Sequence, residues 1–211
     1  MQENTAGICY LFAAAPINDY RWIRLRPTPQ DLILCADGGI VHAKALGLTP
    51  GLAVGDFDSC KRTEFDFQTM QFPPEKDDTD FMIALKAGLS KGYREFQIYG
   101  ALGGRLDHTL GNIQGMSFLK DHGANGVLLD EKNQLRMLQN ETCSFSRRDA
   151  RVTLLSFSDC CVGVTTRGLQ YPLKDAVLTS NVPLGVSNEF TGDIASVTVR
   201  EGKLLLLFSK D

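Results

Sequence analysis

Residues 31–47 read DLILCADGGIVHAKALG, and this stretch sets the fold. Asp31 to Cys35 is an almost unbroken apolar run of strand length, the pattern of a strand covered on both faces in a parallel sheet. It runs into Asp37-Gly38-Gly39, and a helical stretch through Val41, Ala45 and Leu46 follows and stops at Gly47. A buried strand, a turn carrying an acid, and a helix form one unit of an α/β protein.

The same unit recurs on both sides. Ile8 to Ala14 is a first apolar strand. Leu52 to Val54 is a third, leading into Gly55-Asp56-Phe57-Asp58-Ser59. Thr79 to Leu89 reads as a helix with Phe81, Leu85, Gly88 and Leu89 on one face, and Asp78 or Thr79 can cap its start. Phe96 to Tyr99 is a strand ending at Gly100. Asp107 opens a helix that runs to about Asp121 and stops at Gly123, and Val127 to Leu129 closes the series. Such alternation predicts a mostly parallel α/β/α sandwich.

After about Asn133 helical periodicity is lost. Short strands are expected at Arg151–Phe157, Val162–Thr166, Ala176–Thr179, Ala195–Arg200 and Lys203–Phe208. Glu201-Gly202 reads as a hairpin turn between the last two. The expectation is therefore an α/β domain over residues 1–136 and a small all-β sandwich over 137–211, with a linker near Leu135 to Cys143.

Composition narrows the function. The chain has 211 residues, 43% of them hydrophobic and 22% charged, with a formal net charge of −3. These values suit a globular protein with a proper core and give no electrostatic footprint for nucleic acid. The run Ile8 to Ala15 follows Glu3 without a basic segment and is too short to span a bilayer, so no membrane association is expected. Six cysteines without CxxC or Cys/His ligand spacing suggest neither a disulfide framework nor zinc. A reducing cytoplasm is the expected compartment.

The chemistry sits in acids at strand ends and helix starts. Asp37 follows one strand, Asp56 another, and Asp107 follows Phe96–Tyr99 after a glycine-rich loop. In open α/β sheets that edge binds ligands. Asp56 and Asp58 are two apart, so on an extended segment both carboxylates point the same way and can share one hard cation. Lys76-Asp77-Asp78-Thr79-Asp80 crowds three acids before a helix, where cations or the helix N-terminus must compensate, and Lys76 can contact a phosphate. In Gly103-Gly104-Arg105-Leu106-Asp107-His108 the glycines permit close backbone approach and Arg105 can fork onto a phosphate. No Gly-Lys-Ser/Thr follows, so this is not a Walker A loop. His108 reads as a helix-start hydrogen-bond partner, and His42 and His122 as structural or surface residues. No nucleophile constellation stands out, which favours direct in-line transfer over a covalent enzyme intermediate.

Taken in order, these motifs resemble the thiamine pyrophosphokinase family. The residues that carry the resemblance are Asp37-Gly38-Gly39, Gly55-Asp56-Phe57-Asp58-Ser59, Lys76-Asp77-Asp78-Thr79-Asp80, Gly103 to Asn112, Gly168-Leu169-Gln170-Tyr171-Pro172-Leu173 and Val186-Ser187-Asn188-Glu189. The resemblance implies transfer of the terminal diphosphate of ATP to the hydroxyl of thiamine, giving thiamine diphosphate and AMP, with Mg²⁺. It implies that Asp56, Asp58, Asp80 and Asp107 form the catalytic Mg²⁺ and diphosphate cluster. It further implies nucleotide or phosphate contacts at Asp37, Gly38, Ser59, Lys76, Thr79, Arg105 and His108. Thiamine contacts are implied at Asp37, Thr166, Tyr171, Ser187 and Asn188. Tyr171 departs from the family pattern, where many members carry Trp. A homodimer is implied, with the α/β domain of one subunit meeting the β domain of the other. Rival readings are a diphosphokinase for another alcohol such as a hydroxymethylpterin, a non-catalytic nucleotide- or thiamine-binding regulator, and a metal-dependent phosphatase.

Overall fold

The computed structural model describes residues 7–55, 68–71 and 78–211. It divides into two compact units, Met1–Glu131 and Lys132–Asp211.

The first unit is built on parallel strands: β1 (Ile8–Phe12), β2 (Leu32–Ala36), β3 (Leu52–Gly55), β4 (Thr69–Gln71), β5 (Glu95–Tyr99) and β6 (Asn125–Leu129). Their order across the sheet is β6-β5-β1-β2-β3-β4, with every pairing parallel. The chain lays β2, β3 and β4 to one side of β1, then returns to place β5 on its other side. That reversal makes a topological switch point between the ends of β1 and β5.

Among the described residues three helices cover the sheet. α1 (Ile40–Ala45) follows a short 3₁₀ turn at Asp37–Gly39. α2 (Asp80–Ser90) precedes β5, and α3 (Leu106–Asp121) follows it. Alternation along β1 sorts the faces. Cys9 lies under Gly88 of α2 beside Phe96, whereas Tyr10 and Phe12 pack with Ile40 and Ala43 of α1 on the opposite side. Phe81, Leu85, Gly88 and Leu89 of α2 are all buried, as their helical spacing predicts. Phe81 and Leu85 also touch Gly115 of α3. Each such large side chain withdrawn from water contributes about 1.5–3 kcal/mol.

The second unit is a β-sandwich of β7 (Asn133–Ser146), β8 (Arg151–Ser156), β9 (Cys160–Arg167), β10 (Ala176–Thr179), β11 (Gly185–Asn188) and β12 (Ile194–Ser209). Two expectations are corrected here. Leu135 to Cys143 is not a linker but most of β7, and Leu135, Met137 and Leu138 on it are buried. Glu201-Gly202 is not a hairpin turn. β12 runs straight through it and pairs with β7 from Ile194↔Ser146 to Ser209↔Asn133. The ladder slips between Val199 and Lys203, where Gly202 (φ 91°) lies on β12 and Asn140 (φ 54°) on β7. This bulge bends the strand. The segment before it pairs with β9 and the segment after it with β8. Ala195, Val197 and Val199 thereby join Leu204, Leu206 and Phe208 in one core.

Candidate active site

A cleft of about 670 Å³ opens at the switch point of the α/β unit. One wall is the segment after β1, Ala13 to Pro16. The other is the loop from Gly100 to Arg105 and the start of α3. Asp37 enters from the end of β2, and Asp78, Thr79 and Asp80 from the start of α2.

Local structure explains these placements. The 3₁₀ turn carrying Asp37 is tucked against the end of β1, and a Cβ on Gly39 would lie 2.0 Å from the Phe12 carbonyl oxygen. Only glycine permits that approach. Asp37 itself has φ 47°, a left-handed conformation that a short polar side chain tolerates. Thr79 caps α2 by accepting from the Met82 N–H at 3.2 Å, as anticipated, and Asp80 stands in the first turn. Asp78 instead pairs with Lys86 at 2.5 Å.

On the opposite rim Arg105 forks onto Asp107, Nε to Oδ1 at 3.1 Å and a terminal nitrogen to Oδ2 at 2.5 Å. The His108 N–H donates to Asp107 Oδ1 at 2.9 Å. The guanidinium, then the backbone bond, hold the Asp107 carboxyl down at about 2 although it is exposed. Arg105 and Asp107 are thus together, but each presently satisfies the other. The starts of α2 and α3 both line the cleft, so two partly positive helix ends border a space rimmed by Asp37, Asp80 and Asp107. Those carboxylates are hard oxygen donors of the kind Mg²⁺ takes. Asp56, Asp58, Ser59 and Lys76 lie outside the described residues. Among the described residues, no three His, Cys, Asp or Glu side chains form a metal-holding group.

Several contributors carry no sequence signal of their own. Ala13 to Pro16 extend the apolar run of the first strand, yet β1 ends at Phe12 and they form the cleft wall. Asn112 donates from Nδ2 to the Ala101 carbonyl at 2.8 Å, and Thr109 Oγ1 to the Gly103 carbonyl at 3.2 Å, which ties the glycine-rich loop to α3. Both residues stand in the motif Gly103 to Asn112, where position alone flagged them.

The second unit gathers its own candidates on one ledge. Tyr171 is 67% exposed. Buried Asn188 donates from Nδ2 to the Tyr171 carbonyl at 2.8 Å. Its Oδ1 accepts from the N–H groups of Tyr171 at 3.0 Å and Glu189 at 2.9 Å. Thr166 is also buried, and its Oγ1 accepts from the Leu173 N–H at 2.8 Å. Ser187 is exposed at φ 59°, with its N–H on Thr153 Oγ1 at 3.0 Å. Two of the four side chains therefore hold backbone, and Tyr171 and Ser187 face solvent.

A doubly wound α/β unit with a carboxylate-rimmed switch-point cleft, followed by a β-sandwich, defines the class of this protein. Comparison with known proteins specifies it. Residues 27–128 match the thiamin pyrophosphokinase catalytic domain, and residues 138–204 match the thiamin pyrophosphokinase vitamin B1 binding domain. Thiamine pyrophosphokinase of Bacillus subtilis (strain 168) is 30% identical over 183 residues, spanning 83% of this chain and 86% of that protein. The crystal structure of thiamine pyrophosphokinase from Bacillus subtilis superposes with a TM-score of 0.86 at 28% identity, covering 97% of this chain and 99% of the other. That of thiamin pyrophosphokinase from Geobacillus thermodenitrificans gives 0.83 at 26% identity, covering 97% and 98%. The chain belongs to the thiamin pyrophosphokinase family, enzymes that transfer pyrophosphate to thiamine.

Proposed function

We propose that this protein is an Mg²⁺-dependent thiamine pyrophosphokinase that uses ATP, seats the nucleotide in the switch-point cleft, and releases AMP. The observation that carries this reading is the convergence of Asp37, Asp80, Arg105 and Asp107 with two helix N-termini on one cleft. The thiamine hydroxyl gives up its proton to a carboxylate of the cleft as its oxygen attacks the β-phosphorus of ATP, the bond from that phosphorus to the α–β bridging oxygen breaks, and AMP leaves with that oxygen. Negative charge builds on phosphate oxygens along this path, so positioned cations and dipoles give most of the stabilisation. Asp80 and Asp107, with Asp56 and Asp58, would hold Mg²⁺, which supplies charge neutralisation on the transferring diphosphate.

The remaining work falls to this chain's own groups. Arg105 is exposed enough to swing from Asp107 onto a phosphate. Thr79 fixes the start of α2 at the edge of the cleft, where the partly positive helix end favours a phosphate. Tyr171 offers an aromatic face to the cationic thiazolium. A homodimer is part of this reading, supported by the exposed apolar side chains Val182, Leu184 and Val186 on the second unit. A cytoplasmic setting is supported by five free cysteines among the described residues. No helix among the described residues is long and apolar enough to cross a membrane.

Incubation with Mg-ATP and thiamine should yield AMP and thiamine diphosphate in equal amounts. Asp58→Asn should abolish turnover with the fold intact. ADP in place of AMP would refute the diphosphate reading, and near-normal turnover of the variant would refute the metal assignment.

A further inference from the structure

His42 stands on α1, outside the lining of the cleft, yet it is 6% exposed and fully hydrogen-bonded. Its Nε2 lies 3.0 Å from the Ala15 carbonyl oxygen. A carbonyl only accepts, so Nε2 carries the proton. In the neutral ring Nδ1 is then an acceptor, and the Tyr20 hydroxyl donates to it at 2.8 Å. Burial pushes the histidine below its ordinary pKa, against a smaller opposing effect of the bond to Ala15, which favours that neutral ring. One imidazole thus joins α1, the segment around Tyr20, and the wall after β1.

The wall has few other anchors. The Ala15 N–H donates to the Gly100 carbonyl at 2.8 Å, and the Ala13 N–H to Tyr99 at 2.8 Å. The bond from His42 holds the next peptide group along, between Ala15 and Pro16. A Cβ on Gly100 would meet Ala13 O at 2.5 Å, and Ala15 O and His42 Cδ2 at 3.1 Å. Gly100, Ala13, Ala15 and the imidazole therefore lie so close together that no side chain fits between the two walls at this point.

We infer that His42 is a positioning residue for the nucleotide: by holding the Ala15 carbonyl, with Tyr20 as its own support, it fixes the Ala13–Pro16 wall against which the ligand seats. The inference rests on the reading that this cleft takes ATP. It assigns a specific role to a side chain that touches no reacting atom.

The test measures steady-state AMP formation by the full-length protein with Mg-ATP and thiamine varied separately. His42→Phe keeps a ring and removes both hydrogen bonds. It should raise the ATP KM about tenfold, the effect of losing roughly one net hydrogen bond. The thiamine KM should stay within about twofold, because the second unit is untouched. His42→Gln can still donate to Ala15 and should recover most of the loss. Tyr20→Phe removes only the hydroxyl and should give a smaller rise in the ATP KM. Should His42→Phe fail to fold, the Gln and Tyr20 variants carry the same comparison. An unchanged ATP KM, or equal rises for both substrates, would overturn the inference while leaving the cleft assignment standing. Wild-type protein that makes no AMP would overturn the cleft reading, and the inference with it.

Discussion

Gly100 and Gly103 offer a matched pair of perturbations at the glycine-rich rim. Both have left-handed backbone, with φ of 63° and 85°. An alanine in that conformation costs about 1–2 kcal/mol at either position. Each substitution also removes similar freedom from the unfolded chain, so that contribution cancels in the comparison. What differs is the space. A Cβ on Gly103 has no neighbour within 4 Å. On Gly100 it would lie 2.5 Å from the Ala13 carbonyl oxygen, a backbone atom at the end of β1 whose neighbouring amides are bonded to Tyr99 and Gly100. Relief requires moving the wall, and overpacking of this kind costs a further 1–3 kcal/mol, or about that. Gly103→Ala should thus lose about 1 kcal/mol and Gly100→Ala about 3 kcal/mol.

Urea unfolding followed by tryptophan fluorescence reads the difference. The single tryptophan, Trp22, lies in the α/β unit with its ring 5.8 Å from that of Tyr99, immediately before Gly100. Its signal therefore reports the unit that carries both substitutions. Equal midpoints for the two variants at equal slopes would refute the claim that Gly100 is required by close approach rather than by its backbone angle alone.

Asn188→Ala should lower the stability of the β-sandwich by about 2–3 kcal/mol, since it strands three backbone groups around Tyr171 and Glu189. Tyr171→Ala should raise the thiamine KM by removing the exposed aromatic face, and Asn188→Ala should raise it by releasing the backbone that holds that face. The double variant should then be no worse for thiamine than the worse single, and simple additivity would show that Asn188 acts on thiamine independently. Arg105→Gln removes the group that does most to hold Asp107 down at about 2. The ion pair's contribution is fully present above the ordinary carboxylate value of 3.8 and fades as pH falls through about 2. The Asp107 titration, followed by ¹³C NMR, should therefore move upward in the variant, and an unmoved titration would refute the pairing.

Much of this architecture was readable because its elements obey simple periodicities. Helix α2 declares itself through Phe81, Leu85, Gly88 and Leu89, and β1, β2 and β3 through apolar runs, whereas the three-residue β4 (Thr69–Gln71) has no apolar run to declare it. β12 did not, because its buried positions change parity: Ala195, Val197 and Val199 are odd, Leu204, Leu206 and Phe208 even. An alternating pattern that slips by one looks like two strands joined by a turn, and Glu201-Gly202 supplies turn-forming residues at the slip. Only the register with β7 shows a bulge in a continuous strand. β7 misleads for the same reason. Its buried positions pass from Leu135 and Met137 to Leu138 just before Asn140, and the broken alternation resembles a linker. The acids of the site were visible because carboxylates beside glycines at strand ends are chemically conspicuous. The wall from Ala13 to Pro16 was not, since it offers only methyl groups, a proline ring and backbone.

The buried polar side chains expose a common device that sequence could not. Among the described residues three polar side chains are buried: His42, Thr166 and Asn188. Burying such a group unpaired costs several kcal/mol, or about 1–3 by protein mutational data, so each position demands a partner. No buried side-chain nitrogen or oxygen among the described residues lacks one. In all three at least one partner is loop backbone beside a candidate binding surface: Ala15 for His42, Leu173 for Thr166, Tyr171 and Glu189 for Asn188. None of these loops has regular ladder partners to fix it at those atoms. A surface that must present Tyr171 to a ligand, or a wall of alanines to a nucleotide, cannot rely on packing of its own exposed side chains. Rigidity has to come from behind, and a buried hydrogen-bonding side chain is the means that a small core permits. Thr166 and Asn188 support the backbone of the ledge that carries Tyr171, which the proposed function gives to thiamine. His42 belongs with them, although it lies in the other unit and in a different fold.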